Sequence, residues 1–189
     1  MRVISGSAKG IQLASVPGDS TRPITDKVKE ALFNILGPEV IGMTILDLFA
    51  GTGAVGIEAL SRGAAHVRFL DINYRAYKII RKNLKTTKLE PYADVLKKDA
   101  FDLIHSEPDQ SFDIIYIAPP QYKGIWVEAM RELDQNINWL NENGMVIVQI
   151  HPKELDDSLG YANLREFDKR EYGDTILLFF ERILHKSDL

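Results

Sequence analysis

From about residue 43 to residue 150, short apolar runs alternate with stretches of helical period, and that alternation leaves few folds open. Met43–Phe49, His66–Asp71, Ala93–Lys97, Phe112–Ala118 and Gly144–Ile150 read as strands, and Ala54–Arg62, Tyr74–Thr86 and Lys123–Gln135 as helices. The run FDIIYIA from Phe112 is almost continuously apolar, as a strand covered on both faces must be. Strands and helices in this order, joined by right-handed crossovers, give an α/β chain with a parallel, doubly wound, Rossmann-like sheet. The end departs from the pattern. Leu164–Arg170 and Thr175–Arg182 flank Tyr172-Gly173-Asp174, a turn short enough to close an antiparallel hairpin. Ligands of such sheets bind beyond the carboxyl ends of the strands, here near residues 50, 71, 99 and 118.

Residues 1–36 read as a small β/helix extension, and residues 37–189 as the main domain. Arg2–Ser5 and Ile11–Ala14 are extended candidates around a Gly/Ser/Lys turn, and Pro17, Gly18 and Pro23 punctuate a loop. A helix follows, with Thr25 as N-cap and Val28, Ala31, Leu32 and Ile35 on its buried face, stopped by Gly37-Pro38. The extension carries five basic and three acidic residues, a net of +2, which leaves −6 for the rest of a chain whose net charge is −4. A net negative chain does not favour a nucleic-acid partner, but a basic face on an acidic body could dock on phosphate.

The segment LDLFAGTGAVG, Leu46–Gly56, follows the first strand and opens a helix. Gly51, Gly53 and Gly56 satisfy G-x-G-x-x-G, in which glycine permits a tight turn and close approach of a ligand to backbone N–H groups. Asp71 ends the second strand, at the distance usual for a carboxylate that accepts both ribose hydroxyls of an adenosine cofactor, or else it is a solvated strand-end acid. Asp99 either lies by an adenine or caps the short helix after it. A dinucleotide dehydrogenase shows the same glycines, but Asp47 lies inside the first strand. A carboxylate there repels a pyrophosphate and suits a sulfonium cofactor with an amino-acid tail.

The fourth strand runs into APPQYKG, Ala118–Gly124. Pro119 and Pro120 fix φ and lack N–H groups, so the local carbonyls form a stiff wall able to hold a planar amine. Tyr122 is placed to stack on a base, or else this is an ordinary proline turn with a half-buried tyrosine. Methyl transfer to a base amine needs in-line positioning and acceptors for the amine protons, with no metal and no covalent intermediate.

Composition narrows the remaining classes. A chain of 189 residues, 45% hydrophobic and 26% charged, can bury a core without disulfides or metals. It has no cysteine, which excludes thiolate metal sites and fits a reducing cytoplasm. MRVISGSAKG has no apolar run of the signal-peptide kind, and no stretch approaches the roughly 20 apolar residues of a membrane span. A cytoplasmic monomer without membrane contact is expected.

Four segments together resemble the RsmD family of 16S ribosomal RNA guanine-N2 methyltransferases. MRVISGSAKG is similar to the family's opening strand, RPITDKVKEALFNIL (Arg22–Leu36) to its signature helix, LDLFAGTGAVGIEALSRGA (Leu46–Ala64) to its cofactor loop, and EYGDTILLFFER (Glu171–Arg182) to its terminal hairpin. The resemblance implies a seven-stranded methyltransferase sheet, S-adenosylmethionine as donor, and a guanine of small-subunit ribosomal RNA or of the assembling subunit as acceptor. It implies that Asp47, Phe49 and the Gly51-Thr52-Gly53 turn border the methionine part. Asp71 with Ile72 would take the ribose side, and Asp99 with Ala100 would lie by the adenine. Arg2, Lys9, Arg22, Thr25 and Lys29 would face the RNA or brace the site. Ala118, Pro119, Pro120, Gln121 and Tyr122 would form the catalytic segment.

That last segment departs from the family, which reads Asp-Pro-Pro followed by Tyr or Phe. Here Ala118 occupies the Asp position and Gln121 intrudes before Tyr122. Either the Ala118 and Pro119 carbonyls with the Gln121 amide take over as acceptors, or the enzyme is weak, retargeted or inactive. A methyltransferase with another acceptor, an RNA-binding assembly factor without chemistry, and a nucleotide-dependent oxidoreductase stay open as alternatives.

Overall fold

The computed structural model describes residues 1–16 and 24–184, in two compact units that divide between Ala100 and Phe101. Helices and strands follow in the order α1 (Asp26–Leu36), β1 (Thr44–Asp47), α2 (Ala54–Ser61), β2 (His66–Leu70), α3 (Tyr74–Thr87), β3 (Ala93–Leu96), α4 (Ala100–Ile104), β4 (Phe112–Ile117), α5 (Ile125–Gln135), β5 (Leu140–Ile150), β6 (Leu164–Tyr172) and β7 (Thr175–Arg182). The expected alternation and the terminal hairpin are both present, and the fold is α/β with seven strands. No helix among the described residues is long and apolar enough to cross a membrane.

In the first unit β3, β2 and β1 lie side by side and parallel, with Thr44 opposite His66 and Val67 opposite Ala93. All eight residues of α2 are buried, Glu58 and Ser61 included. Gly56 lets this helix sit on β2, because a Cβ there would meet the Phe69 ring at 2.3 Å. That is the helix–strand packing role of the third glycine in such a turn.

The opening segment is less regular than expected. Only an isolated antiparallel bridge joins Arg2 and Gln12, and the chain between them closes through Val3 N–H to Ile11 O at 3.0 Å. Three polar side chains of the following helices hold it. Glu58 accepts from the N–H groups of Ile4 and Ser5 at 2.7 and 3.0 Å. Ser61 Oγ accepts from Ala8 N–H and donates to Ser5 O. Asn83 of α3, buried, accepts from Ala14 N–H at 2.8 Å and donates to Ala14 O at 3.0 Å.

On α1 the buried residues are Val28, Lys29, Leu32, Phe33 and Leu36, whereas Ile35 is 40% exposed. The apolar face is therefore turned by about one residue from the expected one. Buried Lys29 sits where a sequence pattern counts a polar surface position. Pro17, Gly18, Arg22 and Pro23 lie outside the described residues.

In the second unit β4 pairs parallel with β5, β5 antiparallel with β7, and β7 antiparallel with β6. β5 starts four residues earlier than its apolar core suggests, since Leu140 already pairs with Phe112. Tyr172 opposite Thr175 closes the hairpin, with Gly173 at φ 60°. β6 carries Arg165, Glu166, Lys169, Arg170 and Glu171 outward, the charged dress that keeps an edge strand from pairing with other chains.

Candidate functional site

In the first unit the carboxyl ends of β1, β2 and β3 lie along one edge, because the three strands are parallel and adjacent. The residues that follow them are the glycine turn, Asp71 and Asp99. Gly51 and Gly53 have φ of 55° and 75°, in the region glycine enters without strain. Gly53 N–H closes the turn on Ala50 O at 2.7 Å, and Ala50 N–H donates to Leu70 O at 2.8 Å. Asn83 also donates to Thr52 O at 2.9 Å, so one buried amide ties the glycine turn to the opening segment. Thr52 Oγ1 lies 3.8 Å from Met1 Sδ.

Asp47 is 2% exposed, and its Oδ1 has no hydrogen-bond partner. Burial first, and the nearby Asp71 charge second, push its carboxyl up to about 8, against a lowering hydrogen bond from the Phe49 backbone. Asp71 accepts from Gly51 N–H through Oδ2 at 2.9 Å and from Asn73 N–H through Oδ1 at 2.8 Å. Its carboxyl is also raised, by burial, with those two bonds opposing. Each carboxylate oxygen can accept again, so Asp71 retains capacity for two hydroxyls. Ile72 beside it is exposed, Phe49 is half-buried, Asp99 immediately precedes α4, and Ala100 is buried. An orphaned buried carboxylate next to a backbone cradle fits a ligand that brings positive charge.

The opening residues divide. Arg2 is exposed and pairs with Asp26 at 3.5 Å, and Lys9 is exposed. Thr25 caps α1, its Oγ1 accepting from Val28 N–H at 3.2 Å. Lys29 is 0% exposed: its ammonium donates to Arg2 O at 2.5 Å and lies 3.4 Å from Glu58, which also binds Arg62 at 2.8 Å. Burial lowers the Lys29 ammonium against the pull of Glu58. An ammonium so enclosed cannot reach RNA, which corrects the expectation of an RNA-facing Lys29 and leaves it the bracing role.

In the second unit Ala118, Pro119 and Gln121 are half-buried and Pro120 is exposed. Tyr122 is 63% exposed and has φ of 63°, a conformation side chains rarely adopt. Glu154 holds it, Oε1 accepting from Tyr122 N–H at 2.8 Å. Glu154 is fixed in turn by a capping box with His151 in the short turn Pro152–Glu154, and the His151 ring lies 5.3 Å from the Tyr122 ring at 49°. Glu154, His151, Glu58 and Asn83 are absent from the expected site residues. A His-x-x-Glu capping box is the one local signal that marks any of them.

A buried acid ending the first strand, a glycine turn, a second acid after the next parallel strand and an antiparallel terminal pair define a Rossmann-like, S-adenosylmethionine-type methyltransferase. A family model described as Conserved hypothetical protein 95 matches residues 1–181. "Putative rRNA methyltransferase YlbH" of Bacillus subtilis (strain 168) is 40% identical over 184 residues, 96% of this chain and 99% of the relative. "Ribosomal RNA small subunit methyltransferase D" of Haemophilus influenzae is 35% identical over 151 residues, 79% of this chain and 78% of the relative. The solved structure "Putative methyltransferase yhhF from Escherichia coli" superposes with a TM-score of 0.84 at 30% identity, covering 96% of this chain and 97% of that one. The chain belongs to the matched family, the RsmD family of ribosomal RNA methyltransferases.

Proposed function

We propose that the protein transfers a methyl group from S-adenosylmethionine to the exocyclic N2 amine of a guanine in small-subunit ribosomal RNA, in the cytoplasm, on free RNA or the assembling subunit. The observation that carries the reading is Asp47, a buried carboxylate with an orphaned oxygen beside the Gly51–Gly53 cradle. A cationic amino-acid tail draws the proton off this buried acid and is held by the charge that forms, whereas an anionic pyrophosphate keeps it protonated and gains no ion pair there. The small-subunit acceptor follows the name of the Haemophilus relative.

S-adenosylmethionine, when bound, supplies an electrophilic methyl group on positively charged sulfur. Asp47, Phe49 and the Gly51-Thr52-Gly53 backbone would hold its methionine part, Asp71 with Ile72 the ribose side, and Asp99 and Ala100 the adenine. Tyr122 would stack on an extruded guanine, a contact worth about 1–3 kcal/mol. The carbonyls of Ala118 and Pro119 and the Gln121 side-chain oxygen would accept the N2 protons as that nitrogen gains positive charge, while Pro120 stiffens the wall. Arg2, Lys9 and Arg22 would meet RNA phosphates, with Thr25 and Lys29 ordering α1.

A second reading rests on Ala118. With no carboxylate at that position the chain would bind cofactor and RNA without chemistry. Incubation with methyl-labelled S-adenosylmethionine and either small-subunit RNA or small-subunit particles separates the two, with mass spectrometry to locate the product. N2-methylguanosine is expected. Cofactor binding without any transfer on both substrates would establish the second reading, and failure to bind the cofactor would end both.

A further inference from the structure

We infer that the outer face of α3, not only the opening segment, is a docking surface for the RNA phosphate backbone. The inference rests on the ribosomal RNA reading above and assigns where that partner lies. Within Tyr74–Lys88 fall Arg75, Lys78, Arg81, Lys82, Lys85 and Lys88, six of the chain's 23 basic residues, and none of its 27 acidic ones. All six are exposed. Arg81 lies 3.9 Å from Glu90, but Arg75, Lys82, Lys85 and Lys88 make no ion pair among the described residues.

The placement runs against what the helix itself favours. Cations near a helix C-terminus complement its dipole, which accounts for Lys85 and Lys88. Arg75 and Lys78 stand in the opening turns, where acids are favoured, and the first turn has no acid. Arg75, Lys78, Lys82 and Lys85 follow one another at spacings of three and four residues, so like charges face each other along a single stripe. A helix pays for such a stripe in stability, and a polyanion relieves the repulsion. From Arg75 to Lys88 the row is about 20 Å long, enough to follow several phosphates.

Aromatic groups stand at the end of the row nearest the cofactor residues. Tyr74 is 53% exposed and stacks on Tyr77 at 6.1 Å, with Lys78 and Lys97 at 4.5 and 5.6 Å from the Tyr74 ring. Cations interleaved with exposed rings are how single-stranded nucleic acid is held without sequence preference. The helix starts three residues after Asp71, whose Oδ1 accepts from the N-cap residue Asn73, so the row leads toward the carboxylate proposed for the ribose. An anionic membrane is disfavoured, because the apolar face that would enter it is spent: Ala76, Ile80 and Leu84 are buried in the protein.

The test is binding of fluorescein-labelled, full-length small-subunit ribosomal RNA transcript to the full chain and to K82A/K85A/K88A, across 50–200 mM salt. A second triple variant, K153A/K169A/R170A, removes three exposed cations of the other unit and controls for net charge. The α3 variant should bind about tenfold or more weakly at low salt, with a slope of log affinity against log salt shallower by about 2. Its calorimetric affinity for S-adenosylmethionine should be unchanged, and in methyl transfer KM should rise with kcat held. An unchanged slope, or an equal loss in the control variant, would overturn the docking surface. So would binding to phosphatidylserine–phosphatidylcholine vesicles that the α3 variant loses while RNA binding stays intact. α3-dependent RNA binding by a wild type that transfers no methyl group supports the surface and refutes the function; methyl transfer with α3-independent binding does the reverse.

Discussion

Gly51 N–H donates to Asp71 Oδ2 at 2.9 Å, across the twenty residues that separate the two. The carboxylate expected to hold the cofactor's ribose therefore also holds the cofactor's turn in shape. Asp71→Ala would remove the proposed ribose contact and free the turn at once. Calorimetry should show S-adenosylmethionine binding weakened by roughly 1.5–3 kcal/mol, the range for a hydrogen bond to a charged group. Asp71→Asn, which keeps one acceptor oxygen, should lose less. Unchanged affinity in both would remove Asp71 from the site.

Asp47 predicts a pH dependence with a definite sign. Its folded-state carboxyl is raised from 3.8 to about 8, so between those values the native protein binds a proton that the unfolded chain has released. Stability of the cofactor-free protein should fall as pH rises through that window. Asp47→Asn should flatten the slope and stabilise the free protein at pH 8 by several kcal/mol. A cationic ligand draws the proton off, so cofactor binding below pH 8 should release about one proton and tighten toward pH 8. The measurement is calorimetry in buffers of different ionisation enthalpy. Proton release that persists in Asp47→Asn would assign it elsewhere.

Lys29 separates bracing from docking in the opening segment. Lys29→Ala leaves the buried Glu58 short of a cation and should cost about 3–5 kcal/mol, read as a fall in chemical-denaturation midpoint. Reversing the exposed Arg2 and Lys9 should leave that midpoint nearly where it was and weaken RNA binding instead. A loss of stability from the exposed pair as large as that from Lys29 would give the whole segment to the fold.

How much of this was legible in the sequence follows from how far apart the partners lie. The placement of the Gly51–Gly56 turn, Asp47 and Asp71 at the strand ends could be read because strand end, turn and helix start are consecutive in the chain. The buried face of α1 lies about one residue from the one its apolar spacing indicates, because Lys29, a polar letter, is buried by an acid 29 residues away. Glu58, Ser61 and Asn83 were invisible for the same reason, since each reaches backbone groups 53 to 69 residues distant. The fixing of Tyr122 by Glu154 spans 32 residues. No period or spacing encodes such contacts.

Gly56→Ala tests the packing of α2 beneath the glycine turn apart from any ligand chemistry. The new Cβ would fall 2.3 Å from the Phe69 ring and 2.8 Å from Val67, both inside the parallel sheet. Neither neighbour can yield without disturbing the core, so the change should cost about 1–3 kcal/mol of stability. Thermal unfolding should show it, and saturating S-adenosylmethionine should restore part of the loss by mass action. A midpoint equal to wild type would mean that α2 lifts off β2 freely.

The acceptor segment carries the last prediction. Tyr122 sits at φ 63° with its N–H on Glu154, a strained backbone held by one carboxylate. Glu154→Ala should release the tyrosine and lower kcat with cofactor affinity intact, because an interaction that positions the base acts on turnover. Glu154→Gln, which keeps an acceptor for that N–H, should recover most of the rate. Gln121→Ala should also cut turnover if the amide oxygen has replaced the carboxylate missing at Ala118. Ala118→Asp then decides between the two readings of the segment. In a pocket rebuilt around Gln121 a second acceptor brings an unpaired charge, and activity should fall. In a protein that lost its chemistry with the carboxylate, the same change should raise methyl transfer from nothing. The rebuilt pocket is expected, so wild-type transfer should exceed that of Ala118→Asp on small-subunit RNA and particles alike.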